Sequence, residues 1–378
     1  MDLGTVPILD QHCHALLRDG RIEGAAAYAR FFTESGDPTV HAHHAPETVF
    51  YRWAIRELAA LFGCTPSTEA VLAARGGMSS DALARRLLGE ANIALLLVDH
   101  GYQTEATWPP AEMAARVPPR VLPILRLETL AQALIVRHET FDAVVEAYSA
   151  IVERARADGF VGLKSIIAYR TGLAVKETSR DDAIAAFGPL KEHARRDGRV
   201  RLAVKPLNDY LLLRALDIAE RQALPLQIHT GFGDADLDLR EANPLHLRPV
   251  LESGRYASVP FVLLHASYPY VRELGYLAAM YPNVHADVGL AIPHLAAEVP
   301  AMLRQLLGLA PTTKVVYSSD ASQIPELYWL AARWGRRGLA TVLDELVALG
   351  ALDGRDALLV AQRVLGANAA KIYGLPWP

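Results

Sequence analysis

Eight short runs of branched apolar residues recur along this chain, and most of them end in a polar residue or a glycine. We assign them as strands over residues 7–12, 93–99, 120–126, 160–165, 224–229, 261–265, 283–288 and 314–319. The stretches between them carry apolar side chains at helical spacing. Strands that alternate with helices predict βαβ units and a parallel sheet. Eight such units predict a closed (β/α)8 TIM barrel, an α/β fold.

The spacing of the predicted strands is uneven at one place. About 80 residues separate the first strand from the second, and residues 45–64 there carry one or two apolar helical faces. We therefore expect residues 17–90 to form a helical insertion over the mouth of the barrel. Because no repeat, low-complexity tract or linker interrupts the 378 residues, residues 1–378 are predicted to form a single domain.

Composition narrows the class of protein. Hydrophobic residues make up 51% of the chain, charged residues 21%, and the formal net charge is −4. These values are typical of a soluble globular protein with a small-molecule substrate, and they do not favour nucleic acid or a membrane as a partner. The N-terminus lacks the basic and apolar regions of a signal peptide, so we expect a cytoplasmic protein. A homo-oligomer is compatible with this composition.

Histidine and aspartate occur where predicted strands end. The active site of a TIM barrel lies at the carboxyl ends of its strands. The residues concerned are His12, His14, His229, His265 and Asp320. Because strand side chains alternate, His12 and His14 share a face while Cys13 points away. One such histidine alone is more often structural. The combination predicts a site for zinc or another first-row divalent metal.

These residues, in this order, resemble the amidohydrolase superfamily. The stretches "GLKSIIAYRTGL", "LQIHTGFGDADLDLREANPLHLRP" and "LLHASYPYVRELGYLAAMYPNV" are similar to its FluG-like and nodulin-type branch. The closing "LGANAAKIYGL" resembles the C-terminal helix of the superfamily. The resemblance covers nearly the whole chain and implies a metal-dependent enzyme. It does not single out a reaction, because the superfamily includes amidases, deaminases, lactonases, decarboxylases and isomerases.

The resemblance implies one of two ligand sets, which differ in the role of Lys164. In a two-ion site His12, His14 and Asp320 hold one ion and His229 and His265 the other, and a carboxylated Lys164 bridges both. In a one-ion site His12, His14, His229 and Asp320 hold the ion, Lys164 stays an amine, and His265 acts as an acid or supports the ligands. The expected ion is zinc, with manganese as an alternative.

The resemblance also suggests roles in catalysis. Asp320 would accept a proton from an attacking water and pass it to the leaving group. His265 would polarise a substrate carbonyl, and Lys164 would contribute through either of the roles above. A metal ion lowers the pKa of a bound water to about 7, which allows this chemistry at neutral pH.

Four residues are candidates for contacting substrate. Arg170 and Arg240 could each clamp a carboxylate, since guanidinium offers a bidentate match, or each could form a structural ion pair. His100 ends the second strand and could touch substrate or a supporting carboxylate. Thr230 follows His229 and is expected close to the ion.

Three functions stay open at this point. The first is a metal-dependent hydrolase of an amide or related C–N bond in a small carboxylate-bearing substrate, with a γ-glutamyl amide as the first example to test. The second is a non-oxidative decarboxylase of an aromatic or related acid. The third is a barrel that has lost catalysis and only binds a ligand, which the complete set of ligand residues disfavours.

Overall fold

A computed structural model, which describes residues 1–377, contains eight strands joined in one parallel sheet in chain order. The strands are β1 (Ile8–His14), β2 (Ile93–Asp99), β3 (Arg120–Arg126), β4 (Gly162–Ser165), β5 (Leu226–Ile228), β6 (Phe261–Leu263), β7 (Val284–Asp287) and β8 (Val315–Val316). Backbone bonds from Asp320 N to His12 O (3.0 Å) and from His14 N to Ala321 O (2.8 Å) join the two ends of the sheet. The predicted TIM barrel is confirmed.

Only β2 and β3 have their predicted bounds, and two of the other six strands bear on the site. β1 continues through His14, whereas β8 consists of two residues rather than the six expected over 314–319. After β8 the Ser319 amide donates to the side chain of Asp10, at 2.9 Å from Oδ1, and Asp320 adopts a left-handed φ of 53°. Asp320 therefore lies on a turn beyond the strand, still at the mouth of the barrel.

The predicted insertion after β1 is helical. It contains α1 (Ala25–Ala29), α2 (Val49–Phe62), α3 (Thr68–Gly76) and α4 (Ser80–Glu90), with shorter helical turns between α1 and α2. The side chains of Thr48, Ser67 and Ser79 accept hydrogen bonds from the first turns of α2, α3 and α4. A hydroxyl at this position satisfies an amide that the helix leaves unpaired, which explains where each helix begins.

The remaining helices surround the sheet. They are α5 (Pro110–Arg116), α6 (Leu127–Arg137), α7 (Phe141–Arg154), α8 (Arg180–Asp197), α9 (Lys205–Gln222), α10 (Arg248–Glu252), α11 (Val271–Met280), α12 (Ala291–Leu295), α13 (Val299–Leu307), α14 (Pro325–Ala348), α15 (Gly354–Gln362) and α16 (Asn368–Tyr373). Across residues 1–377, none of the helices combines the length and the apolar character that crossing a bilayer requires.

Two sets of apolar side chains form the core. The larger set fills the space between the strands and the outer helices. The smaller set joins strand residues such as Leu9, Leu97 and Val262 to Ala369 and Tyr373 of α16. The C-terminal helix thus packs on side chains from several strands, and it brings a buried tyrosine hydroxyl to β1 and β5.

Candidate metal centre

The two histidines of β1 direct the same ring nitrogen toward one carboxylate. His14 Nδ1 lies 3.0 Å from the Asp99 carbonyl oxygen, and His12 Nδ1 lies 2.8 Å from Gln227 Oε1. Because these oxygens only accept, each Nδ1 carries the proton and each Nε2 holds a lone pair. Both Nε2 atoms face Asp320 Oδ1, at 3.0 Å from His12 and 3.3 Å from His14.

Asp320 contributes the third acceptor atom of this group. Burial raises its pKa, but His265, His12 and His14 outweigh burial and hold the pKa of Asp320 well below its usual range. Burial also lowers the pKa of His12 to about 4, so this ring is neutral at pH 7. Within residues 1–377, the buried Asp320 Oδ1 has no hydrogen-bond partner. Two lone pairs and a carboxylate oxygen this close repel one another unless a cation or a proton donor lies beside them.

His265 approaches the same carboxylate from the other side. Its Nδ1 lies 3.9 Å from Asp320 Oδ2 and, counting contacts within the described chain, has no hydrogen-bond partner. Candidate ligand atoms of His12, His265 and Asp320 lie within 4.8 Å of one another. His265, Ala266 and Ser267 all have positive φ, at 66°, 53° and 46°. Strain of this kind is common at functional sites because the site geometry outweighs its local cost.

His229 and Lys164 lie beside this group. The His229 ring centroid is 4.5 Å from that of His265, while its Nε2 lies 3.2 Å from the Phe232 carbonyl oxygen. That contact leaves Nδ1 as the available nitrogen. Lys164 is buried with its Nζ 3.1 Å from His12 Nε2, and burial lowers the pKa of Lys164 to about 8. A larger share of this amine is therefore neutral near pH 7 than in an ordinary lysine.

The donor set fits a divalent metal ion. Imidazole nitrogen and carboxylate oxygen are the ligands that zinc and its first-row neighbours bind. The main-chain and amide oxygens behind His12 and His14 provide the outer hydrogen bonds that orient ligating histidines. The sequence prediction that these residues converge at the barrel mouth agrees with this geometry.

A cavity opens onto this centre in two connected parts. An outer part of about 430 Å³ and an inner part of about 200 Å³ share Asp320, Tyr102 and Glu34 in their walls. Insertion residues between Arg30 and Gly36 line the outer part, so the insertion covers the mouth as predicted. The inner part is lined by His14, Lys164, His229 and His265 and by three arginines, Arg126, Arg170 and Arg201.

Of the four predicted substrate residues, only Arg170 lines this cavity within the described chain. Its Nε is buried without a hydrogen-bond partner among residues 1–377, and its Nη1 makes a long contact of 3.5 Å to the Tyr169 carbonyl oxygen. Burial lowers the pKa of Arg170, although the group stays charged at neutral pH. This guanidinium is therefore available to an anionic ligand.

The other three lie in different surroundings. Arg240 is exposed and pairs with Asp238 at 2.6 Å. Thr230 is buried and donates to the Leu264 carbonyl oxygen at 2.7 Å, which holds the turn after β6. His100 is partly buried beside Asp99, and burial lowers its pKa to about 4. The ion-pair alternative for Arg240 matches its placement, since its charge is already neutralised at the surface.

Sequence reasoning missed several residues of the site. Arg126 pairs with the fully buried Asp99 at 2.6 Å, and the Asp99 carbonyl oxygen in turn accepts from His14. Gln227 contacts His12 directly. Gln227 stands two positions before His229, so strand alternation could have identified it as sharing a face with that histidine. Arg126 carried no such signal beyond its place at the end of β3.

Comparison with known proteins identifies the family. A profile described as amidohydrolase matches residues 39–375. The chain belongs to the amidohydrolase family. The chain is also 33% identical over 408 aligned residues to the protein fluG of Emericella nidulans, an alignment that covers 98% of the chain and 46% of the relative. The chain therefore spans about half the length of that curated relative.

Solved structures agree with the fold of this chain. A protein of Lactobacillus casei, provisionally described as a metal-dependent hydrolase, is 32% identical with a TM-score of 0.89, covering 98% of this chain and 96% of its own. A uronate isomerase of Thermotoga maritima has a TM-score of 0.66 at 14% identity, covering 98% of this chain and 95% of its own. The second likeness shows a shared fold alone.

Proposed function

We propose that this amidohydrolase is a metal-dependent hydrolase that cleaves an amide or related C–N bond in a small carboxylate-bearing substrate. The observation that carries the proposal is the convergence of His12 Nε2, His14 Nε2 and Asp320 Oδ1 beside a cavity lined by Arg170, whose Nε has no hydrogen-bond partner among residues 1–377. The likeness to the Lactobacillus casei protein supports it. A γ-glutamyl amide is the first substrate to test.

The proposed cofactor is zinc, as one ion or two, with manganese as the alternative. In a one-ion site His12, His14, Asp320 and His229 would hold the ion, whereas in a two-ion site His229 and His265 would hold the second ion. Such an ion supplies a Lewis acid that activates water and polarises a carbonyl.

Side chains of the protein would carry out proton transfer, substrate binding and orientation of the carbonyl. Asp320 lies at the centre of the site as a carboxylate and would accept a proton from the attacking water, then pass it to the leaving nitrogen. Arg170 would bind the substrate carboxylate and so fix the scissile bond relative to Asp320. His265, buried and neutral, would orient the carbonyl oxygen.

Lys164 determines which ligand set is present. Its buried amine, with a pKa of about 8, can add carbon dioxide as the neutral form and become a carbamate, which has the charge and oxygens of a carboxylate. An experimental density map at Lys164 would distinguish the cases. Carbamate density with two metal peaks supports the bridged site, whereas one metal peak and an unmodified lysine refute it. Mass spectrometry is unsuitable because a carbamate is labile in acid.

The function is tested by metal analysis of the purified protein, followed by a substrate screen with and without chelator. We expect bound divalent metal, hydrolysis of members of a panel of γ-glutamyl amides and N-acyl amino acids, loss of activity on chelation and its return with Zn²⁺. Activity that is indifferent to chelation would overturn the proposal. Aromatic carboxylates belong in the panel, because carbon dioxide release without hydrolysis would replace hydrolase by decarboxylase.

A further inference from the structure

Gln227 of β5 is a buried amide that connects a predicted metal ligand to the C-terminal helix. Its Oε1 lies 2.8 Å from His12 Nδ1. Its Nε2 faces three oxygens, the Gln11 main-chain carbonyl at 2.6 Å, Gln11 Oε1 at 3.0 Å and the Tyr373 hydroxyl at 2.8 Å. Gln11 and Gln227 have no solvent-exposed surface, so water does not compete for these contacts.

The contacts allow the Gln227 amide only one orientation. A main-chain carbonyl accepts hydrogen bonds and never donates, so the atom that faces Gln11 O must be the NH2 group. If the amide were reversed, two carbonyl oxygens would meet at 2.6 Å and a buried amide group would face His12. Oxygen is thereby directed at His12 Nδ1.

The Asp287 carboxylate, at the far end of the network, requires the same orientation of the Gln227 amide. Asp287 Oδ1 accepts from Gln11 Nε2 at 3.0 Å, which leaves Gln11 Oε1 as an acceptor. The Tyr373 hydroxyl donates to that oxygen at 2.7 Å, so its own lone pairs are left for Gln227 Nε2. The Asp287 carboxylate thus fixes which atoms of Gln11 donate and accept. Gln11 in turn fixes the hydroxyl direction of Tyr373, and Tyr373 fixes the amide of Gln227, whose oxygen faces His12.

The orientation of the Gln227 amide determines the tautomer of the His12 imidazole. An acceptor at Nδ1 keeps the proton there and leaves a lone pair on Nε2, the nitrogen that faces Asp320. A donor at Nδ1 would select the other tautomer, whose Nε2–H would donate to Asp320 and occupy the place of a cation. We propose that Gln227 is a positioning residue whose buried hydrogen-bond network with Gln11, Tyr373 and Asp287 sets His12 in the metal-binding tautomer.

The network also reaches a second predicted ligand. Asp287 Oδ2 accepts from the main-chain amide of His265 at 2.8 Å and from that of Gly289 at 2.9 Å. Asp287 therefore supports the strained turn that carries His265. It also anchors the hydrogen-bond network that orients His12. The inference depends on the ligand set of the proposed function and is independent of the reaction catalysed.

The test compares two variants of the full-length protein that differ in the acceptor at position 227. Gln227→Met keeps the length of the side chain but removes the acceptor, and we expect Zn²⁺ affinity to fall by about 10- to 100-fold, the usual effect of losing such a partner. Gln227→Glu keeps an oxygen toward His12, and its protonated form can still donate to Gln11 O, so we expect it to retain most of the affinity. Competition with a chromophoric chelator measures both.

The matched control is Tyr317→Phe. The Tyr317 hydroxyl is buried and, within residues 1–377, has no hydrogen-bond partner. This variant therefore removes a buried hydroxyl from the barrel without touching the network, and its Zn²⁺ affinity should equal that of the wild type. Circular dichroism and thermal unfolding establish that each variant is folded.

A second measurement needs no variant at position 227. Nitrogen-15 spectra of the metal-free wild type report the tautomer of each histidine, with His12→Asn assigning the His12 signal. We expect the Nδ1–H form for His12; the Nε2–H form would overturn the inference. Equal affinity loss in Gln227→Met and Gln227→Glu would also overturn it, since only the structural role would remain. A wild type that binds no Zn²⁺ refutes the proposed function instead, and the tautomer still decides the network.

Discussion

The helical insertion is tied to the barrel by a buried ion pair, and breaking this pair gives a quantitative prediction. Arg75 of α3 bonds through Nε to Glu326 Oε1 of α14 at 2.5 Å and through Nη1 to the Gly20 carbonyl oxygen at 2.8 Å. The side chains of Arg75 and Glu326 are only 4% and 0% exposed. Solvent therefore cannot compensate either charge if its partner is removed.

Glu326→Gln removes the negative charge while keeping the volume of the side chain. An uncompensated buried charge costs about 3–5 kcal/mol of unfolding free energy. With an unfolding entropy of about 2.1 cal/mol/K per residue, a chain of 378 residues has about 0.8 kcal/mol/K, so Tm should fall by about 4–6 °C. Thermal unfolding followed by calorimetry or circular dichroism measures this shift.

A control on the same helix isolates burial as the cause. Glu345 of α14 pairs with Arg304 at 2.7 Å, but the two side chains are 45% and 47% exposed. Glu345→Gln should therefore change stability by no more than about 0.5 kcal/mol, or less than about 1 °C. The double variant Arg75→Met, Glu326→Met should be more stable than Glu326→Gln, because no buried charge is left alone. Equal Tm shifts for Glu326→Gln and Glu345→Gln would refute the reasoning.

Three further predictions concern the site and its surroundings. Asp320→Asn should lower kcat by about 100-fold or more, since the amide cannot accept the proton, while bound metal measured by elemental analysis stays largely intact; wild-type turnover would remove Asp320 from the role of base. Arg170→Met should lower kcat/KM for carboxylate-bearing substrates by about 10- to 100-fold and leave neutral analogues unchanged, and an equal loss for both would contradict the clamp. Burial lowers the pKa of His285 to about 4, so the folded state binds fewer protons than the unfolded state between pH 6.5 and 4 and loses stability as pH falls. His285→Gln should remove up to about 3 kcal/mol of that loss of stability. Urea titrations of wild type and variant at pH 7 and pH 4 measure it, and an equal pH dependence of stability in the two proteins would contradict the prediction.

The barrel and the general composition of the site could be predicted because they rest on local patterns. Branched apolar runs that alternate with helical stretches specify a parallel sheet, and in such a barrel every strand ends at the same mouth. His12, His14, His229 and His265 could therefore be assigned to one site before any distance was known. Asp320 could be assigned there as well, although its position on a turn beyond a two-residue strand could not.

Other features depend on how distant segments meet. Gln11 and His12 are neighbours, so regular alternation would place them on opposite faces, yet both contact Gln227. The register of β1 against β2 shifts between Asp10 and Cys13, a local irregularity that no periodicity signals. The partners of Gln227 also include Tyr373, which is 146 residues away in the chain.

Two arginines show the same difference between what the sequence predicts and what the packing decides. Arg170 and Arg240 have the same chemistry and both follow strands. Only the packing shows that Asp238 pairs with Arg240, while Arg170 lines the cavity with an Nε that has no partner in the described part of the chain. The sequence by itself determined which residue types stand at the ends of the strands, because strand periodicity and barrel topology are local and repetitive. The tertiary structure alone decided which of those groups find partners, because burial and hydrogen-bond direction depend on contacts between segments far apart in the chain.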